Sequence, residues 1–316
     1  MGRRTFHQRK QASTPAPRLI CFKNREVFIK AGSQTQAAVN QRVAGSSPSR
    51  GVYDWSDWSR LVPDRDEPFR LSHINCSQQI SALTEYLSSP EPAASTRAPA
   101  LIEMLHMTLW GTQHSDLTLD LAEQRLRANP SAISDLNAVL CYRLKHSPLI
   151  ASPGSTAYDP LAIHAAYTRD EILVALGHWN FNNRPSQREG VLHLKDRKLD
   201  VFFVTLQKSE DEYSPTTMYE DYLISHDLFH WQSQSNTSEQ SPTGQRYIRH
   251  SELGYTPLLF VRETKSLPSG LSAPYHFLGP CKYVNHTGSR PISITWKLLQ
   301  SVPTRLLRTM ARQIAV

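Results

Sequence analysis

A chain of 316 residues, 39% of them hydrophobic, is long enough for one large domain or two ordinary ones with a buried core. No stretch approaches the roughly 18 apolar residues of a membrane span, and no signal peptide is visible at the N-terminus, so we expect a cytoplasmic protein without membrane contact. The cysteines, Cys21, Cys76, Cys141 and Cys281, are widely separated, which predicts neither a zinc site nor a disulfide framework.

The basic charge of the chain is concentrated near its N-terminus. Residues 1–60 contain 11 Lys or Arg and 3 Asp or Glu, whereas the remaining residues contain 24 and 25. The net charge of +7 therefore does not by itself indicate a nucleic-acid partner, because its distribution matters more than its sum.

Residues 1–52 are rich in Arg, Gln, Ser and Ala and have neither a helical nor an alternating apolar period, which predicts disorder. Residues 39–51 resemble the translation of a transfer-RNA gene, which indicates a mis-called start. The alternative is a basic arm that contacts phosphates.

The next segment, residues 53–150, is predicted to be helical. Apolar residues recur at three-to-four spacing in 101–105, 117–126 and 133–144, and Pro130 suits the first position of a helix. We expect a small helical segment here.

The predicted third region, residues 151–316, is rich in β-structure. Thr168 and Glu171 form a capping-box pattern before a short helix, and Gly177 is a stop signal. Runs of β-branched and aromatic residues then predict strands at 190–194, 200–206, 245–250, 257–262, 275–284 and 292–298, followed by a short basic helix at 303–310. The expected fold class is α+β, with a helical segment followed by a barrel-like or sandwich domain.

Nucleotide-driven chemistry is not predicted. The sequence lacks the G-x-x-x-x-G-K-[ST] pattern with which a P-loop binds phosphates, and it offers no other cofactor motif. We therefore expect no ATP-driven motor and no cofactor.

From about Tyr158 to the C-terminus, the chain resembles the family called domain of unknown function 3427. The similar stretches follow in order at 164–173, 202–206, 213–222, 228–234, 243–248, 259–263, 273–279 and 288–296. Members of this family are usually found behind a helicase core in type IV restriction proteins.

The resemblance implies a target-recognition domain that distinguishes modified DNA, such as DNA bearing methylcytosine, from host DNA in a phage-defence restriction system. The helicase and nuclease parts of such proteins are missing from this sequence. The chain is then either a module that works with a separate helicase or nuclease subunit, or the remnant of a broken gene.

The end of the chain has the composition of a DNA-binding surface. No acid follows Glu263, whereas seven cations do. They alternate with aromatic residues, which combines phosphate neutralisation with stacking surfaces. The candidate contacts to double-stranded DNA are Lys282, Arg290, Trp296, Lys297, Arg305 and Arg308, within a tract that also includes Lys265 and Arg312. The alternative is a β-core whose aromatic residues face inward and whose cations only solvate the surface.

A second group of candidates combines an aromatic ring with amides. Trp231, Gln232 and Gln234 could stack on a flipped base and bind its edge, and Gln245 and Arg246 could bind guanine or a phosphate. The alternative is that the Trp is an anchor of the core.

The rival hypothesis is a nuclease. His193, Lys195 and Asp200 fit H-x-K-x-x-x-x-D, the half-site of phospholipase-D-like nucleases, which needs two copies and therefore a dimer. His230 could act as a base but has no recognisable nucleophile beside it, and the acids at 210–212 lack a metal-nuclease arrangement. We therefore favour a DNA-binding module that is not itself an enzyme.

Overall fold

The computed structural model describes residues 71–89, 99–111, 117–146, 150, 158–207, 221–268 and 270–310, and the backbone of three strands nearer the N-terminus. The chain divides into two compact units, Met1–Ser49 and Arg50–Val316.

The first unit contains a three-stranded antiparallel sheet. Its strands are β1 (Leu19–Lys23), β2 (Glu26–Ala31) and β3 (Gln34–Ala37), in the order β1-β2-β3. The disorder predicted for residues 1–52 stays a prediction, because most of this segment lies outside the described residues. The interpretation of residues 1–52 as a mis-called start or a phosphate-binding arm stays a prediction.

The second unit begins with a helical layer that agrees with the apolar periodicity. Its helices are α1 (Ser77–Ser88), α2 (Pro99–Trp110), α3 (Leu119–Arg127) and α4 (Pro130–His146). The side chain of Thr118 caps α3 by accepting from the backbone N–H of Leu121, and Pro130 begins α4 as predicted. No helix in the described part of the chain is both long and apolar enough to cross a membrane.

A buried hydrogen-bond chain joins three of these helices. The indole N–H of Trp110 donates to Nδ1 of His106 (3.1 Å), and Nε2 of His106 lies 2.9 Å from the Tyr86 hydroxyl, which donates to Glu123. Since an indole can only donate, Nδ1 must accept, and the imidazole proton therefore lies on Nε2. Burial lowers the pKa of His106 to about 3, so the ring is neutral.

The helical layer packs directly on the β-rich region. The carboxylate of Glu103 accepts from the backbone N–H of Phe181 (2.6 Å), the amide oxygen of Asn75 accepts from Ala166 (2.8 Å), and His73 pairs with the buried Glu171 (2.7 Å). The helical segment and the β-rich region, which the sequence analysis treats separately, thus lie in one compact unit.

Helix α5 (Arg169–Ala175) is the short helix with both ends marked in the sequence. Its capping box is complete, since Thr168 accepts from the backbone of Glu171 and Glu171 accepts from the backbone of Thr168. Gly177 follows the helix with φ of +69°, a conformation that glycine adopts without steric cost.

The β-rich region contains an eight-stranded mixed sheet. Its strands are β4 (Ala166–Tyr167), β5 (Val191–Leu194), β6 (Leu199–Thr205), β7 (Tyr222–Leu223), β8 (Leu228–Gln232), β9 (Thr256–Arg262), β10 (Tyr275–Thr287) and β11 (Ser293–Leu298). Seven of them follow the order β5-β6-β9-β10-β11-β8-β7, and β4 pairs with β10. The α+β prediction is confirmed, but the sheet is not closed into a barrel, because in the described residues the outermost strands β5 and β7 do not pair.

Strand β10 changes partners along its length and so bends the sheet. Residues 276–280 pair with β9, whereas residues 281–287 pair with β11. A bulge between Phe277 and Gly279 lies just before this change; at Gly279 φ is +94°, and a Cβ built there would lie 3.1 Å from Cδ1 of Ile163. Glycine is therefore required at this bend.

The bent sheet encloses an aromatic core. The rings of Phe202 on β6 and Trp231 on β8 stack at 4.3 Å although three strands separate them in the sheet order, and Trp296 on β11 lies 5.5 Å from Phe202. Tyr247 adds its ring edge-on to Phe202 and Trp231.

Tyr247 belongs to helix α6 (Pro242–Ile248), where the sequence analysis predicts a strand at 245–250. That prediction is wrong. The side chain of Ser241 caps the helix by accepting from Gly244, and Pro242 occupies its first turn, so the local start signals override β-propensity. The predicted basic helix near the end of the chain is present as α7 (Thr304–Met310).

Candidate nucleic-acid interface

The two tryptophans chosen from the sequence lie in the core. Trp231 is 4% exposed, and the stacked ring of Phe202 covers it. Trp296 is fully buried, and its indole N–H has no hydrogen-bond partner among the described residues. Both rings therefore pack inside the sheet, which is the alternative that the sequence analysis left open.

The residues that flank each tryptophan along its strand point to the opposite face of the sheet, because side chains alternate along a strand. We call this surface the outer face. It consists of the non-core side chains of four neighbouring strands: Tyr222, Leu228, His230, Gln232, Lys282, Asn285, Thr287, Ser293, Thr295 and Lys297. None of these side chains is buried, so the face is open to solvent.

An aromatic pair and an amide lie on β7 and β8, at the edge of the outer face. The ring of Tyr222, which is 44% exposed, stacks on His230 at 4.7 Å with 15° between the planes. The amide of Gln232 donates to the Ser293 hydroxyl (3.2 Å). The face thus combines a stacking surface with hydrogen-bonding groups.

Two lysines lie opposite each other at one end of the outer face. Lys282 and Lys297 are cross-strand partners on β10 and β11, and both are exposed. Lys297 forms an ion pair with Asp227, and hydrogen bonds from Lys297 and Ser225 lower the pKa of that carboxyl. Like charges directly opposite each other destabilise a sheet. Two lysines against one aspartate leave a net positive charge here, and a bound anion would reduce the repulsion between the lysines.

The other predicted cations lie near the two ends of the β10–β11 hairpin. Arg290 is exposed in the connection between these strands, with φ of +65°. Arg305 and Arg308 are exposed on α7. Just before this helix, the backbone N–H of Val302 donates to the carbonyl of His226, the neighbour of Asp227 in sequence. Arg312 lies outside the described residues.

The remaining polar candidates do not join this surface. Gln234 donates to the carboxylate of Glu189 (3.3 Å), and Gln245 donates to the backbone carbonyl of Glu239 (3.0 Å). Arg246 binds both oxygens of Asp200 through Nε, at 3.1 and 2.9 Å. Its side chain is 14% exposed.

The proposed nuclease residues lie on one hairpin. His193 on β5 is the cross-strand partner of Asp200 on β6, and Lys195 is exposed in the turn that joins them. Burial lowers the pKa of His193, and the charge of Arg246 lowers it further. The buried carboxylate of Asp200 forms an ion pair with Arg246, which gives this residue a structural role. The nuclease hypothesis stays a prediction.

The described residues contain no cluster of three or more His, Cys, Asp or Glu side chains that could bind a metal ion. The acids at 210–212, considered in the sequence analysis, lie outside the described residues.

The sequence analysis missed the pairing of Tyr222 with His230 and grouped Trp231 with Gln232 and Gln234 as one candidate cluster. The alternation of a strand would have separated Trp231 from His230 and Gln232, because neighbouring residues face opposite sides. The partnership with Tyr222 carries no local signal, since it depends on the pairing of β7 with β8.

Comparison with known proteins gives one positive result. No curated protein matches the chain. Residues 161–310 match the model of a family described as domain of unknown function (DUF3427). The matched range covers β4 to β11 and nearly all of the region in which the sequence resembles that family. The β-rich domain of this chain, residues 161–310, therefore belongs to the domain of unknown function 3427 family.

Proposed function

We propose that this protein binds DNA through the outer face, with the lysines and hairpin-end arginines on phosphates and the Tyr222–His230 pair on bases. The observation that carries the proposal is an open sheet face with a stacked aromatic pair and two unburied lysines. Stacking platforms flanked by cations are the usual means of binding nucleic-acid strands.

The dimensions of the hairpin suit a nucleic-acid backbone. From Lys297 to Ser293 the strand advances about 13 Å at roughly 3.3 Å per residue, and the connection that contains Arg290 lies beyond. Cations at both ends of the face can therefore contact phosphates that are several nucleotides apart. Asp227 partly neutralises Lys297, and the carboxylate of Asp221 accepts from the backbone N–H of Gln232 (3.0 Å).

A finer proposal concerns what the DNA carries. The resemblance described above implies recognition of modified bases for a restriction system with separate helicase and nuclease parts. On the outer face, Gln232, Thr295 and Asn285 offer donors and acceptors for a base edge. Trp231 could reach a base only if the core opened, so we assign base contact to Tyr222 and His230 instead.

The test is a titration of labelled duplex and single-stranded DNA with the double variant Lys282→Gln, Lys297→Gln. We expect the affinity for DNA to fall about tenfold or more, and the salt dependence to flatten by about 0.7 to 0.9 for each lost phosphate contact. The matched control is Lys145→Gln, Arg249→Gln, which removes two exposed cations elsewhere and should retain binding. Equal losses in the two variants, or no binding by the wild type, would contradict the proposal.

Selectivity is measured separately, by titrating the wild type with methylated and plain duplexes of one sequence. The finer proposal expects tighter binding of the methylated duplex and loss of that preference in Tyr222→Ala. Equal affinity of the wild type for the two duplexes would refute selective recognition of methylated DNA while leaving DNA binding intact.

A further inference from the structure

Two arginines lie together at the carboxyl ends of the parallel strands β6 and β9, away from the outer face. Arg262 ends β9 opposite Thr205, the last residue of β6. Arg169 begins α5. The guanidinium of Arg262 stacks over the ring of Tyr275 (4.5 Å), and that of Arg169 stacks over Phe203 (4.4 Å).

The two guanidinium groups share one aromatic support. The rings of Phe203 and Tyr275 meet edge-on at 5.4 Å, so the two stacked guanidinium groups lie against neighbouring rings. Burial lowers the pKa of Arg169; Tyr275 and Asp170 oppose that effect, and the nearby positive charge of Arg262 reinforces it. The two cations are thus close enough to repel each other.

Neither cation is neutralised within the described part of the chain. Arg169 donates to the backbone carbonyl of Glu189 (2.5 Å), and its buried Nε has no hydrogen-bond partner. Arg262 donates to the Thr205 hydroxyl (2.9 Å) and to the carbonyl of Lys265 (3.3 Å). No described carboxylate forms an ion pair with either guanidinium.

This arrangement needs an explanation, because partly buried charges are normally paired with a counter-ion. The contrast within the same domain is direct: Arg246, at a comparable depth, has both oxygens of Asp200. Aromatic stacking fixes the planes of Arg169 and Arg262, which reduces the entropy lost when they bind a ligand. Planar guanidinium groups favour oxyanions such as phosphate, which accept paired hydrogen bonds.

We infer that Arg169 and Arg262, supported by Phe203 and Tyr275, form a binding site for a phosphate group. The site is separate from the outer face, and the bound phosphate would supply the counter-ion that no described carboxylate provides. The same chemistry is presented by inorganic phosphate, by a terminal phosphate of an oligonucleotide and by the DNA backbone.

The test compares thermal unfolding in sodium phosphate with unfolding in sodium chloride of equal ionic strength. A ligand that binds only the folded state raises Tm in a saturable manner. We expect this rise in the wild type and about a tenfold loss of phosphate affinity, or about 1.4 kcal/mol, in Arg262→Gln, because the variant removes a charge-assisted hydrogen bond.

Arg249→Gln is the matched control, because Arg249 is exposed and already paired with Glu252 (2.7 Å). It keeps the general stabilisation that phosphate gives to any folded protein. Equal responses of Arg262→Gln and Arg249→Gln would overturn the inference. If Arg262→Gln does not fold, Arg262→Lys keeps the charge without the paired donors, and undiminished phosphate binding by that variant overturns the inference equally.

Oligonucleotides with and without a 5′ phosphate identify the source of the group. Tighter binding of the phosphorylated strand by the wild type, lost in Arg262→Gln, assigns a terminal phosphate. Displacement of duplex DNA by phosphate, absent in that variant, assigns the backbone. Lysine variants of the outer face should leave the phosphate-dependent rise in Tm unchanged, so failure of DNA binding and failure of this site are separable.

Discussion

The two faces of strands β8 and β11 are made from alternating residues of the same short segments, yet they differ in burial and in polarity. The inner face carries Phe229, Trp231, Ile294 and Trp296, all 4% exposed or less. The outer face carries polar, aromatic and basic side chains, none of them buried. Adjacent residues such as Trp231 and Gln232 therefore belong to different environments, and proximity in sequence is a poor guide to shared function.

The comparison separates stability from recognition. Side chains removed from water contribute to the free energy of unfolding, whereas side chains that remain in water are available to a partner. Substitutions on the inner face should change stability and those on the outer face should change binding. The predictions that follow test this division from the largest expected effect to the smallest.

The largest effect is expected for Trp231→Ala. The variant leaves a cavity between Phe202 and Tyr247 and should lower the free energy of unfolding by about 3 to 5 kcal/mol. The neighbouring variant Gln232→Ala, on the outer face, should lower it by less than about 1 kcal/mol. Urea denaturation measures both values, and losses of similar size would abolish the distinction between the faces.

A second prediction extends the comparison to the buried polar groups of the helical layer. His106 has a folded pKa of about 3 because burial opposes its charge, whereas an unfolded histidine titrates near 6.5. The unfolded state therefore binds a proton that the folded state does not, and stability falls as the pH decreases from about 6.5 toward 3. The slope attributable to this residue is about 1.4 kcal/mol per pH unit.

The measurement is the free energy of unfolding of the wild type and His106→Gln between pH 7 and pH 5. The variant should be less stable at pH 7 because it disturbs the bonds with Trp110 and Tyr86, but its stability should depend less on pH. Parallel pH curves for the two proteins would mean that His106 does not carry this dependence.

Much of the fold is readable from sequence where the signals are local. The capping box of α5, Pro130 at the start of α4 and the β-branched run of β9 all agree with the structure. The strand predicted at 245–250 is wrong because Ser241 and Pro242, just before it, specify a helix start. The local signals of a helix start at Ser241 and Pro242 therefore outweigh the β-propensity of the residues that follow.

What the sequence could not supply is the pairing of distant segments. The open sheet depends on the bend of β10 at Gly279, and the stacking of Tyr222 on His230 depends on the register of β7 with β8. The proximity of Arg169 to Arg262 likewise joins residues far apart in the chain. A candidate site built from neighbours in sequence, such as Trp231, Gln232 and Gln234, therefore combines a core residue with surface residues.

The smallest effect on stability is expected for Arg305→Gln, Arg308→Gln on α7. Both side chains are exposed and form no ion pair in the described part of the chain, so the free energy of unfolding should change by less than about 0.5 kcal/mol for each. If α7 extends the phosphate-binding surface, the affinity for DNA should fall to a similar extent for all sequences, because phosphate contacts carry no sequence information. The logarithmic salt slope should decrease in magnitude by up to about 1.8 on duplex DNA, at roughly 0.9 for each contact. Titrations at several salt concentrations provide that slope, with Lys145→Gln, Arg249→Gln as the charge-matched control. An unchanged slope would place α7 outside the interface and confine the basic surface to the β10–β11 hairpin.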